Sequence, residues 1–365
     1  MNRNFLSFAL ILGMMCIFCS CKKNNSPCIT CPPPPLDTTS HVVQWMPPDT
    51  LGTQGVIRDV WVFGRNNAWA VGEIYLNDST GKPDMANPYN AAHWDGSKWE
   101  LKRIQSIICG SSTNIVSQLY TIFGFTSNDI WYSDGGEMIH WNGQTYNNDC
   151  SMNGILTGAI KKIYAVSPQD VYVVGNSGAI VHYNGSSWTK MTSNTTVDLQ
   201  DIWGIDATHV WATGTNVGDG HSMVLQCNGA SWTILYDSNL QLPQSKFGFG
   251  CLWTNTSQTI YSDGGSGLHL LNLTNFNISA QVNTGLSYVA SSIRGINQND
   301  IFDVTTGGEV AHYNGSSWHC YPEIQSLGGG NAGWGSVYPK NDFVVIGGSI
   351  FTGLNGFPVV IRGYR

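Results

Sequence analysis

The chemistry open to this chain is set by nine histidines, ten cysteines and 24 acidic against 17 basic side chains, spread over 365 residues. Four of the histidines, His93, His140, His182 and His312, each stand two residues before an Asp-Gly or Asn-Gly step. Metal ligands must all lie about 2 Å from one ion. Residues repeated at one position of a ring point away from its axis at fixed angles and cannot converge, so no metal centre is expected. Nucleophilic chemistry finds no support either. The sequence has no Gly-x-Ser-x-Gly elbow, no His-Glu-x-x-His pair and no phosphate-binding glycine loop, and no cofactor is expected. Asp129, Asp170, Asp300 and Asp342 recur at one repeat position, where an Asx turn accounts for them. Asp134 and Asp263 each sit in a Tyr-Ser-Asp-Gly-Gly segment. A tight hairpin explains their Asp-Gly step, but both also stand where a ligand would meet the protein.

Cysteine use points to an exported protein. Beyond Cys21 there are Cys28, Cys31, Cys109, Cys150, Cys227, Cys251 and Cys320, an odd set that leaves at least one free or intermolecular. Cys109 and Cys150 fall in linkers on either side of one repeat unit and are the best disulfide candidates. Cys28-Ile29-Thr30-Cys31 has CxxC spacing but lies in a Pro-rich stretch with no thioredoxin-like context, so a redox role is not expected.

The elements that must position these residues follow from an internal repeat. Residues 167–188 read SPQDVYVVGNSGAIVHYNGSSW, 126–146 read TSNDIWYSDGGEMIHWNGQTY, and 297–318 read NQNDIFDVTTGGEVAHYNGSSW. Weaker copies begin at Arg65, Asp206, Asn255 and Pro339. A period of about 40–48 residues is that of a four-stranded propeller blade. Asn-Gly and Asp-Gly steps suit the tight hairpin between strands c and d. Units starting near Ile57, Leu119, Ile160, Leu199, Phe249, Ile293 and Trp334 give seven blades, so the chain is predicted to be an all-β, seven-bladed propeller of four-stranded antiparallel blades. The last unit supplies strands a, b and c. Its outer strand is expected from residues 41–46, with Trp45 in the slot that Trp99, Trp188, Trp232 and Trp318 hold elsewhere. Such closure leaves no open sheet edge. Most tryptophans fall on repeat positions and are assigned to inter-blade packing.

The segment VVGNSGAIVHYNGSSW resembles the repeat of the photosystem II assembly-factor propellers and of the related sialidase-type (BNR) propellers. The resemblance extends over residues 41–365 at the level of the repeat. The Asp box of those families, Ser/Thr-x-Asp-x-Gly-x-x-Trp, is absent here, so the resemblance implies fold and not activity. At the other end, Arg3 and the apolar run Phe5 to Phe18 suit a secretory signal. Ser20-Cys21-Lys22-Lys23 resembles the lipobox of bacterial lipoproteins, those of the Bacteroidetes in particular. Residues 1–20 are therefore expected to be a signal peptide and Cys21 the lipidated terminus. Residues 21–40, with Pro32 to Pro35, would form a tether, and 41–365 the propeller.

Charged residues make up 11% and the net charge is −7 with no basic cluster, which argues against a nucleic-acid partner. In a propeller the long connections here, b–c loops and d–a linkers, share one face with the start of strand a. Arg58, Asp59, Tyr120, Lys161, Gln200, Asp201 and Arg294 are predicted to ring the channel mouth on that face, with Arg58 and Arg294 at one shared strand-a position and Asp134 and Asp263 in the loops above. The expected function is a non-catalytic binding or assembly module of an envelope lipoprotein. It would be held to a membrane, the outer one by expectation, through its lipid anchor, and would recognise a protein or glycan. The alternative is a sialidase-like hydrolase or lyase at the same funnel, for which two arginines stand where three would be wanted.

Overall fold

The structure, a computed structural model, describes residues 38–365 apart from 112, 153, 157, 217, 241–247, 249, 276 and 328–329. The signal segment, Cys21, Cys28, Cys31 and most of the tether fall outside the described residues.

Seven antiparallel sheets follow one another along the chain as the blades of a propeller. In blade 3 the strands are a (Ile160–Ser167), b (Asp170–Gly175), c (Ile180–Tyr183) and d (Trp188–Met191). Blades 1, 2, 4 and 6 repeat this order, their a strands being Gln54–Gly64, Thr121–Thr126, Leu199–Asp206 and Ala290–Asn297. Branched and aromatic residues fill the b strands because each sheet is covered on both faces by its neighbours. Val171, Val173 and Val174, for example, are fully buried. At each of five c–d turns one Asn or Asp carbonyl or carboxylate oxygen accepts two main-chain N–H bonds, as Asn184 does from Ser186 and Ser187. The glycine after it takes a positive φ, 90° at Gly185, where a Cβ would be strained.

Blade 5 departs from the pattern. Cys251–Trp253, Thr259–Asp263 and His269–Asn272 form three regular strands. Its fourth edge is only loosely bonded, through Ser279 N to Leu270 O (2.9 Å), Val282 N to Leu268 O (2.8 Å) and a bridge between Leu271 and Ile278. This blade lacks the Asn-Gly step that fixes the c–d register in the others.

Blade 7 closes the ring with the N-terminal segment. Gln44–Trp45 pairs with Asn355–Tyr364, the c strand, through Gln44 opposite Tyr364 and Trp45 opposite Gly363. The pairing resumes at Asp49–Thr50 after Pro47-Pro48, neither of which can donate to a ladder. Trp45 therefore stands in the register of Trp188 opposite Tyr183 and of Trp99 opposite Trp94. Gly363 makes room for it: a Cβ there would come within 2.7 Å of the Trp45 ring.

The recurring histidines and aspartates prove to be partners. His140 meets Asp129 at 2.7 Å, His182 meets Asp170 at 2.6 Å and His312 meets Asp300 at 3.1 Å. Asn67 takes the aspartate's place for His93. The aspartate before strand b thus ties the end of strand c within its own blade, which corrects the expectation of an Asx turn. Asp342, in a blade without such a histidine, pairs with Arg65 of blade 1 instead.

Candidate functional site

The start of strand a carries a β-bulge in five blades. The register slips between Ile57 and Asp59, Ile160 and Lys162, Leu199 and Asp201, Ala290 and Ser292, and Trp334 and Ser336. A bulge leaves one residue unpaired and re-aims its side chain. The residues skipped are Arg58, Lys161, Gln200, Ser291 and Gly335. In blades 2 and 5 the equivalents, Tyr120 and Gly250, precede the first regular strand residue. All seven line one open cavity of about 220 Å³ at the axis. A wider cleft of about 530 Å³ adjoins it, sharing Gln200, Gly250 and Ala290, and is walled by b–c loop residues Thr215, Asp219, Gly220 and Gly264 to Ser266 and by linker residues Gly248 and Val289. The cavity therefore opens on the face of the long loops.

One tier deeper, two carboxylates act as hubs. Asp59 accepts from Lys162 Nζ (2.7 Å), Ser336 Oγ (2.8 Å), Thr121 Oγ1 (3.0 Å) and Ile122 N (3.1 Å). It so ties blades 7, 1, 2 and 3. Asp201 accepts Leu252 N (3.0 Å) and a two-pronged bond from Arg294 (2.8 and 2.9 Å), tying blades 4, 5 and 6. The two hubs are repeat-related. Each binds the strand-a main chain of the next blade and a cation of the blade after that.

The sequence-predicted residues divide accordingly. Arg58, Tyr120, Lys161 and Gln200 reach the open cavity. Asp201 and Arg294 touch it but are 4% and 3% exposed and spent on each other. Asp59 lies beneath it, 2% exposed. Arg294 does not share the position of Arg58: it stands opposite Phe302 as Trp61 stands opposite Trp69, and Ser291 is the counterpart of Arg58. Val56-Ile57-Arg58 and Ser292-Ile293-Arg294 look alike as strings, and only the pairing separates them. Asp134 holds its own loop, accepting from Ser106 Oγ (2.8 Å), Gly136 N and Glu137 N. Asp263 is buried beside Asp303 and accepts Gly264 N. Neither lines the axial cavity. A disulfide joins Cys109 to Cys150, and Cys109 N also donates to Glu137 (3.2 Å), which fastens the second d–a linker to the blade 2 loop. Lys162, Ser291, Gly250 and Gly335 were not singled out from the sequence, although the repeat register that gives Arg58 gives the last three as well.

No family model matches the sequence, and no curated protein does. Among solved structures the chain is similar to YCF48 bound to a D1 peptide, with a TM-score of 0.62 at 14% identity over 88% of this chain and 96% of that one. It is similar to YCF48 from Cyanidioschyzon merolae, TM-score 0.61, 13% identity, covering 88% and 98%. The extracellular domain of the hybrid two-component system BT3049 from B. thetaiotaomicron gives 0.60 at 12% identity over 86% of this chain and 40% of that one. At such identities the likeness is one of fold.

Proposed function

We propose that this chain is the propeller of an envelope lipoprotein that binds another protein, without catalysis, on the face of its d–a and b–c loops. The observation that carries the reading is the convergence of one bulge residue per blade on a single open cavity, continuous with a loop-walled cleft on that face. The opposite face is kept to minimal turns such as Asn184 to Ser187. Long loops on a rigid scaffold are where binding resides. A YCF48 structure similar to this chain is bound to a D1 peptide, and the BT3049 structure is an extracellular domain, which supports a protein ligand and an extracytoplasmic setting. Cys21 would carry the lipid and residues 21–40 the tether to the outer membrane. The hydrolase alternative loses its footing: it rested on Arg58 and Arg294 as equivalent funnel arginines, and Arg294 is locked in a buried ion pair.

A photo-crosslinking residue at Gln200 in the full chain, in its own membrane, is expected to yield a discrete protein adduct. The same residue at Ser186, in a turn of the opposite face, is expected to yield none. Equal adducts at both positions, or a saccharide adduct at Gln200, would overturn the reading.

A further inference from the structure

The charges around the axial cavity do not balance. Four cations line it, Arg58, Lys161, Lys162 and Arg294. Two are neutralised at 2.7 and 2.8 Å, Lys162 by Asp59 and Arg294 by Asp201. The other two have no carboxylate partner among the described residues. Arg58 donates from one terminal nitrogen to the neutral amide of Gln118 (2.9 Å) and lies over the Tyr120 ring at 4.6 Å. Its Nε–H is buried with no acceptor among the described residues. The Lys161 ammonium makes no hydrogen bond or ion pair among the described residues. Around them the polar groups are already committed: Gln200 donates to Thr215 O (3.2 Å), and Ser291 Oγ donates to Trp334 O (2.6 Å).

Two like charges in one small cavity repel, and an oxyanion between them relieves the repulsion. We infer that the axial cavity is an oxyanion receptor, with Arg58 and Lys161 as its two donors and the neutralised hub pairs Asp59–Lys162 and Asp201–Arg294 as its floor. A volume of about 220 Å³ admits a carboxylate, phosphate or sulfate with a few further atoms and not a folded element. The protein partner proposed above would therefore present an acidic side chain, a chain terminus or a phosphoryl group at the axis. This rests on that reading for the partner, and on the cavity alone for the anion.

The test uses the full chain and three probes, acetate, phosphate and sulfate, followed by NMR of labelled arginine and lysine side chains. Saturable shifts of Arg58 Nε–H and Lys161 Nζ are expected. Affinity should fall about tenfold or more for Arg58→Gln and again for Lys161→Gln, as loss of one charged hydrogen bond implies. Lys98→Gln, at a turn of the other face, should change nothing. Tighter acetate than phosphate assigns a carboxylate, and the reverse a phosphoryl group. Melting curves of both glutamine variants are expected to match the parent, since neither leaves a buried carboxylate unpaired. Absence of saturable shifts with all three probes, or binding retained in the double variant, would sink the oxyanion receptor. Crosslinking at Gln200 that survives in a double variant with unchanged yield would refute it as the partner's docking point while leaving the protein-binding reading intact. Anion binding without any face-specific adduct would do the opposite.

Discussion

Asp303 occupies a place that other blades fill with apolar side chains. It stands opposite Ile293 as Ala70 stands opposite Val60, Val173 opposite Ile163 and Ala212 opposite Ile202. It is fully buried, with the Asp263 carboxyl as its side-chain hydrogen-bond partner. Burial, and then the charge of Asp263 across the blade 5 to blade 6 seam, push its pKa well above the ordinary carboxyl range, and Asp263 is raised as well, chiefly by burial. The pair can meet only by sharing a proton. A carboxyl that holds its proton more tightly when folded contributes stability that is whole below its unfolded pKa, near 4, and is lost as pH rises through the folded value. Asp303→Val should therefore raise stability at pH 7.5 by about 1–3 kcal/mol, with the gain shrinking toward pH 4. Denaturant unfolding at the two pH values reads this, and a gain of equal size at both would show that packing, not charge, decides. At this scale the sequence was a partial guide. The ring of Arg58, Tyr120, Lys161 and Gln200 was legible because a bulge residue recurs at the blade period. The misplacement of Arg294 and the burial of Asp59 and Asp263 were not, because a short string does not reveal which side of a bulge a residue falls on.

The seam where the ring closes is built from one irregular strand. Thr39 N donates to Asn314 O (3.0 Å), His41 Nδ1 meets His312 Nδ1 at 3.0 Å, and Tyr321 OH donates to His41 O (2.8 Å). Trp45 then packs on Tyr321 and Phe302, ring centres 5.2 and 6.4 Å away. Blade count and closure could be read from the turn spacing and from the strand missing in the last unit. The second stretch of that strand, Asp49–Thr50, could not, since two residues after Pro47-Pro48 carry no periodicity. His41 faces His312, His319 and Arg365, and burial, followed by these three positive or ionisable groups, lowers its pKa to about 4. Its folded value lies below the ordinary 6.5, so its contribution is present above pH 6.5 and is lost as pH falls toward 4. A chain starting at Pro47 keeps Asp49–Thr50 on the c strand but loses Trp45 and His41. It should be less stable at pH 7.5 by about 2–4 kcal/mol, as for loss of a packed aromatic, and should lose less on acidification from 6.5 to 4 than the longer chain. Parallel acid-induced slopes in thermal melts of the two would mean that His41 does not report on closure.

Across the whole molecule, nine of the fourteen tryptophans and most of the apolar b-strand residues are buried, yet the axis is polar, and what holds it is the pair of carboxylate hubs. Each hub reaches past its neighbour, so the ring is tied as two adjoining arcs, blades 7 to 3 and blades 4 to 6. The arcs are related by the repeat but not by their exposure to water. Lys162 is 17% exposed at the cavity wall, whereas the Arg294 side chain is 4% exposed and lies over the Trp203 ring at 4.9 Å. Breaking a buried pair costs most where the remaining charge cannot reach solvent, about 3–5 kcal/mol in full burial. Asp201→Asn should therefore destabilise by that amount, with Arg294 left only the carbonyls of Leu252 and Ile293. Asp59→Asn should cost less, about 1–3 kcal/mol, because the Lys162 ammonium can turn into the cavity and rehydrate. Adding Arg294→Met to Asp201→Asn removes the stranded charge and should recover most of the loss, whereas adding Lys162→Met to Asp59→Asn should recover little. Urea unfolding of the five proteins, parent included, separates these outcomes. Equal penalties at the two hubs would mean that the main-chain bonds to Ile122 and Leu252, common to both, carry the tie, and that burial of the cation does not set its strength.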